Sequence, residues 1–405
     1  MRIGMGSRVG SFLRYAVGLV ALGAIGCGST APEDGNPGTT TVDLENRAYI
    51  VGRDSGEVTV IDLNKLEVLG VVDTQGATNH MAELSGDFAK AYVDSTGTNE
   101  TIIFDARTLK IEKRVKLGDE PTHLSLSRDG KYMAVMNEAT NSVSFIDTTT
   151  DTEIKRISGF TLPHFIRFAP DGQYAYVANI GAHHITRVEL SSLTIDGEIV
   201  LDGHKGGANP DIAEEEGGFA DVQIDNTGML YAAHAATGKV LVYDTVSRTK
   251  KTELKVGAKP WVVYAEHPFP SIKNHVVPNF GDESLSLISS DSGTMEANMA
   301  GGDSESYGVN YSNLAPGLAF VMNRVRSDIA VIDTVQRQVV KSIPVGGNTE
   351  TASTTPDGKL IVAAVSSANR VVVIDAVSRS IIKTFDNIGR YPWSVTIPRG
   401  QNYCH

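Results

Sequence analysis

The sequence predicts an all-β fold: a single eight-bladed β-propeller with four-stranded blades. Three observations lead there. First, a short apolar run ending in an acid or its stand-in occurs eight times along the 405 residues. The runs are Val60-Ile61-Asp62, Ile103-Phe104-Asp105, Phe145-Ile146-Asp147, Arg187-Val188-Glu189, Val242-Tyr243-Asp244, Leu287-Ile288-Ser289, Val331-Ile332-Asp333 and Val373-Ile374-Asp375, spaced by 43, 42, 42, 55, 45, 44 and 42 residues. Second, each interval holds four short alternating runs punctuated by Gly, Asp and Asn, the pattern of strands joined by tight turns. Third, no stretch sustains the 3.6-residue period of a helix.

Along the chain, residues 1–26 come first, with Arg2, Arg8 and Arg14, no acid, and an apolar run from Tyr15 to Ile25. That run is about half of the ~20 residues needed to span a bilayer, so it predicts a signal peptide. It closes on Leu22-Gly23-Ala24-Ile25-Gly26-Cys27, which resembles the bacterial lipobox. The resemblance implies cleavage before Cys27, lipidation of its thiol, and a periplasm-facing lipoprotein tethered in the cell envelope. A plain secretory peptide is the alternative. Residues 27–45 follow as a flexible tether rich in Ser, Thr, Pro, Asp and Gly.

The repeats begin at a second strand, Ala48-Tyr49-Ile50-Val51. The third repeat shows the full unit. His123-Leu124-Ser125-Leu126-Ser127 alternates, Arg128-Asp129-Gly130-Lys131 turns, and Tyr132-Met133-Ala134-Val135-Met136 returns. Ser142-Val143-Ser144-Phe145-Ile146 and Glu153-Ile154-Lys155-Arg156-Ile157 then complete the blade. The recurrent acid reads as turn chemistry, its carboxylate accepting backbone N–H groups two residues on. The chain ends on an extra first strand, Pro392-Trp393-Ser394-Val395-Thr396-Ile397, which can complete blade one and close the ring. One domain therefore spans 46–398, and 399–405 is a tail.

Composition narrows the partners. Acids outnumber bases 48 to 36, a net charge of −12, which argues against a nucleic-acid backbone. Cleavage before Cys27 would remove three positive charges and give −12 − 3 = −15. Two cysteines, Cys27 and Cys404, make neither a disulfide framework nor a four-cysteine zinc module.

Tyr176-Val177-Ala178-Asn179, with Val371-Val372-Val373-Ile374-Asp375 in the last blade, resembles the YVTN-type and cytochrome d1-like bacterial β-propellers. The likeness covers nearly the whole mature chain. It implies the fold but leaves function open, because the wider group includes lactonases, dehydrogenase subunits, haem d1 proteins and metallochaperones.

Function is sought where the blades differ. Aligned on their turns, the inner strands place His80, Thr122, His164, Ala220, Trp261, Tyr307, Glu350 and Trp393 in one ring at the channel mouth. His123 and Asp221 lie one position further on. His80, His123, His164 and Asp221 thus form a candidate metal set, since imidazole and carboxylate suit tetrahedral zinc. Copper, nickel or haem iron would accept the same ligands. His183, His184, His204 and His234 are secondary candidates on nearby loops. The 55-residue step holds an insertion, 202–218, with His204, Asp211 and Glu214 to Glu216, expected on the same face. Trp261 and Trp393 suit packing or a planar ligand. Lys205, Lys259 and Arg390 are possible anion partners without supporting spacing. Cys404 and His405 are soft donors expected at the opposite face.

There is no Gly-x-Ser-x-Gly elbow, His-Glu-x-x-His, P-loop or dinucleotide fingerprint. Three readings follow. The first is a non-enzymatic envelope propeller binding a transition metal, zinc foremost, as a metallochaperone or accessory to a metal transporter. In architecture and ligand type it is similar to the periplasmic zinc-chaperone propellers. The second is a haem d1-type tetrapyrrole protein or a propeller enzyme. The third is a monomeric platform for another envelope protein, with structural histidines.

Overall fold

The computed structural model describes residues 42–403, apart from 77, 209–211 and 213–216. The expected signal peptide, Cys27 with its expected lipidation, Asp211, Glu214 to Glu216, Cys404 and His405 lie outside the described residues.

Eight antiparallel sheets follow one another along the chain, and among the described residues the helical content is two three-residue 3-10 turns. The blades span 47–73, 79–116, 121–158, 163–200, 223–255, 274–300, 306–344 and 349–386, numbered here one to eight. Each meanders outward from an inner strand. Ring closure is as expected: Pro392–Thr396 lies beside Arg47–Gly52, pairing Tyr49 with Thr396 and Ile50 with Val395. Blade one is therefore built from both ends of the domain.

The turn acids behave as turn chemistry requires. Asp105 Oδ1 accepts the backbone N–H groups of Arg107 and Thr108 at 2.9 and 2.6 Å. Asp147, Asp244 and Asp333 repeat the arrangement. At the other end of the hairpin, Asn137, Asn179 and Asn279 close the second strands. Each donates its amide across to Ser144, Thr186 or Ser286 at 2.9 to 3.0 Å. The core lies between blades, where facing sheets interdigitate. Met136, Phe145, Ile166, Val177 and Val188 join blades three and four; Ile50, Val371, Val373 and Val395 join eight to one.

Two blades are irregular. Blade five has an inner strand of only Gln223–Ile224. In blade six the inner position is held by isolated bridges, Pro260 to Asn279 and Tyr264 to Val276. Blade eight instead gains a strand: Gln401–Asn402 pairs with Thr354 and Ser353 on its inner edge.

One feature recurs in every blade and positions the site. The inner strand carries one residue too many near its start. Pro121 pairs with Asn137 and His123 with Met136, leaving Thr122 extra; Pro163 pairs with Asn179 and Phe165 with Ala178, leaving His164 extra. Tyr307 and Trp393 are skipped in the same way. In blades two and eight, three steps, 79–82 and 349–352, face two on the neighbouring strand. In blades five and six, four steps, 219–223 and 260–264, face three. Such a bulge re-aims side chains and frees them from the ladder.

Candidate metal centre

The bulged starts of blades two to four bring three imidazoles together. Ring centroids are 4.5 Å apart for His80 and His123 and 4.1 Å for His123 and His164. Glu138 joins them from the residue after Tyr132–Asn137. Its Oε1 lies 3.8 Å from His123 Nδ1 and 3.9 Å from His164 Nε2. One donor atom from each of His123, Glu138 and His164 lies within 4.8 Å of the others.

Neighbouring groups orient these donors. Thr122 donates its hydroxyl to Glu138 Oε1 at 2.6 Å. His164 Nδ1 meets the Ala220 carbonyl at 2.7 Å, so Nδ1 carries a proton and donates it there, and Nε2 is the ring nitrogen on the Glu138 side. Burial and the neighbouring His123 hold His80 well below the usual imidazole range, which keeps it neutral and able to act as a donor. Glu138 was not foreseen from the sequence. The signal existed: the residues following the second strands are Arg53, Thr96, Glu138, Ile180, Ala235, Phe280, Arg324 and Ser366, with a single carboxylate.

Asp221 is buried on other business. Its Oδ1 accepts from the Val222 N–H and its Oδ2 from Gln223 Nε2 at 2.7 Å. Burial lifts its carboxyl to about 6 against the pull of Arg167. Like His80, it stands outside the three-donor group, and both its oxygens are engaged locally.

A cavity of about 910 Å³ opens beside the centre, lined by Glu120, Glu138, His164, Lys259, Trp261, Phe280, Glu305 and Tyr307 among others. Trp261 stacks on Phe280 at 5.4 Å and meets Tyr307 edge-on at 6.2 Å. Trp393 stacks on Tyr391 at 6.0 Å beneath the Arg53 guanidinium. Glu350 is taken by Arg324 Nε at 3.1 Å and the Tyr391 hydroxyl at 3.1 Å. Of the secondary candidates, His183, His204 and His234 come together beside the insertion, with Lys205 lining the same hollow. His184 is apart, buried, its Nε2 3.5 Å from Glu198 Oε1. Arg390 is held by the Asp54 carbonyl at 2.5 Å.

The inner strands end around a smaller cavity of about 320 Å³ holding Glu83, Arg167, Glu266 and Gln401. Here Gln401 spans blade seven, its Oε1 accepting from Tyr311 N–H at 2.7 Å and its Nε2 donating to Val309 O at 3.3 Å. Tyr403 reaches on to blade six, donating its phenol to the Glu266 carbonyl and packing edge-on to Tyr264 at 4.6 Å.

A model of the YNCE-like beta-propeller family matches residues 68–399. The chain belongs to that family. Among curated proteins this YNCE-like propeller is 25% identical over 145 residues to Antigen Lp49 of Leptospira interrogans serogroup Icterohaemorrhagiae serovar copenhageni (strain Fiocruz L1-130). The match takes in 32% of this chain and 31% of that one, so it spans about a third of the relative's length. Among solved structures it superposes on the dihydro-heme d1 dehydrogenase NirN in complex with DHE. There the TM-score is 0.72 and the identity 15%, over 89% of this chain and 77% of that one. Kuenenia stuttgartiensis hydrazine synthase matches at TM-score 0.54 and 20% identity, over 73% of this chain and 94% of that one. At these identities the likenesses speak for the fold, and they bear out the resemblance to d1-type propellers at that level.

Proposed function

We propose that this YNCE-like propeller binds a divalent transition metal, zinc foremost, at the channel mouth through His123, Glu138 and His164, with His80 as a further donor. One observation carries the reading: a single carboxylate oxygen stands 3.8 and 3.9 Å from two imidazole nitrogens, one of them set in its tautomer by a backbone carbonyl. Neutral imidazoles with a carboxylate suit zinc at roughly 2.0–2.2 Å, and a small movement of each side chain brings that within reach. The role is that of a binding or carrier protein in the envelope, anchored through Cys27 and serving another envelope protein or a metal transporter. Supporting it are the lipobox-like sequence and the lack of a recognised catalytic motif.

The superposition on the dihydro-heme d1 dehydrogenase NirN raises a tetrapyrrole as the second reading. The aromatic wall of Trp261, Phe280 and Tyr307 facing His164 favours it. The charges do not: among the described residues the cavity is lined by the acids Glu120, Glu138 and Glu305, the last paired with Arg324 Nη1 at 3.0 Å, against one lysine, Lys259. A polycarboxylate ring needs the opposite balance, whereas a bare cation is attracted by this one.

The deciding experiment is equilibrium dialysis of the full chain in mild detergent, without chelator or histidine tag, followed by metal analysis and an absorption spectrum. The wild type is expected to retain a zinc equivalent that a His123→Ala, Glu138→Gln variant lacks. Equal retention by both would sink the channel site, and a Soret-type band would transfer the case to the tetrapyrrole.

A further inference from the structure

Blades four and five gather a second set of imidazoles. His183 sits in the turn between Tyr174–Asn179 and His184–Glu189, and His234 ends Met229–His234. His204 comes from the insertion after Thr194–Val200. His183 Nδ1 and His234 Nε2 are 2.9 Å apart. The His204 ring lies 3.9 Å from that of His183 and 6.4 Å from that of His234, by centroids. They adjoin a hollow of about 670 Å³ that opens to solvent beside Gly203, Lys205, Gly206 and Thr237.

We propose that His183, His204 and His234 form a second transition-metal site, distinct from the channel-mouth centre, with the insertion loop supplying one ligand. The nitrogens of His183 and His234 already face each other at close to the separation that two ligands of one tetrahedral ion require. The proton they share need not leave the protein. When His234 carries it on Nε2, the ring adopts its other tautomer, with the proton on Nδ1 and that N–H donating a hydrogen bond to Thr237 Oγ1 at 3.1 Å. A metal-bound histidine is ordinarily held by such an acceptor on its other nitrogen.

The third ligand has the freedom to arrive. His204 is exposed and lies between Gly203 and Gly207, with φ of 84° and 81°, where an added Cβ would meet nothing within 4 Å. The loop's other end is pinned: Ala208 bridges to Ala182, and Gly218 N–H donates to Ile180 O at 2.7 Å. Between these two glycines Gly206 lies against the Glu198 carboxylate of blade four, a flexible side chain that has to give way as His204 closes over the pair. The two sites are neighbours, since Ala235 lines the channel-mouth cavity and Ala236 the histidine hollow.

The test is titration of the full chain with Co²⁺, read by its d–d absorption and by zinc competition. His123→Ala with Glu138→Gln isolates the second site, and that variant is expected to bind one equivalent. Adding His204→Ala, a change at an exposed loop residue, is expected to weaken this equivalent at least about tenfold; adding His183→Gln should abolish it. No Co²⁺ in the channel variant overturns the second site, as does an affinity that His204→Ala leaves unchanged. Neither result touches the channel centre, which is read separately in His183→Gln, His204→Ala protein.

Discussion

Thr122 donates its hydroxyl to Glu138 across 2.6 Å, and both residues belong to blade three. That bond holds the carboxylate oxygen between His123 and His164 rather than leaving it to rotate into the cavity. Thr122→Val keeps the shape and removes the donor. It is expected to weaken zinc binding at the proposed centre about 10-fold, within the range for outer-shell partners of metal ligands. Glu138→Gln should weaken it further, while both variants melt within about 1 kcal/mol of wild type. Calorimetric titration beside thermal melts separates the two effects.

Glu83 sets a pH dependence. Burial raises its carboxyl to about 7, with Arg167 pulling down and Glu266 pushing up, and its Oε1 accepts the Leu84 N–H at 2.8 Å. In the folded state it holds a proton from about pH 4.5 to 7 that the unfolded chain has released, so this group's contribution to stability falls as pH rises through that window. Glu83→Gln removes the loss. The variant is expected to gain about 1–3 kcal/mol over wild type at pH 8 and little at pH 4.5. Chemical denaturation at the two pH values measures the difference.

Ring closure rests on a short strand. Val395 is buried against Ile50, Val371 and Val373, so Val395→Ala should cost about 1–3 kcal/mol. Ending the chain before Pro392 is a harsher change. It bares the edge of Arg47–Gly52, and the expected outcome is self-association on size exclusion with a broadened melt.

Gln401 is the polar pin of the far end. Gln401→Leu leaves Tyr311 N–H and Val309 O without their side-chain partner, and an orphaned buried group costs about 1–3 kcal/mol. The melt should drop accordingly, with the stoichiometry of the proposed zinc site unchanged because the pin and that site share no residue.

The blades were readable because the repeat is written in turn chemistry: Asp105, Asp147 and Asp244 each announce the same hairpin, and nothing distant alters it. The channel ring was readable to within one residue. The bulge accounts for that margin, since an extra residue near the start of each inner strand makes Thr122 and His123 rival occupants of one position. Glu138 went unseen because it belongs to a different hairpin end, reached only when second strands are aligned as well as first. Asp221 shows the opposite failure. Its place in the sequence matched the ring, but buried beside Gln223 it satisfied its oxygens locally, and no spacing rule reveals where a carboxylate spends its lone pairs. The trio at His183, His204 and His234 rests on a loop whose path no repeat dictates.

The surplus residue in each inner strand has an evolutionary consequence. At these eight positions the side chain is uncoupled from strand registry, so it can be exchanged without rewriting the hairpins that hold the ring. The frame acts as a dial of eight interchangeable sockets. A substitution at one of them changes what faces the rim while the hairpins behind it keep their pairing.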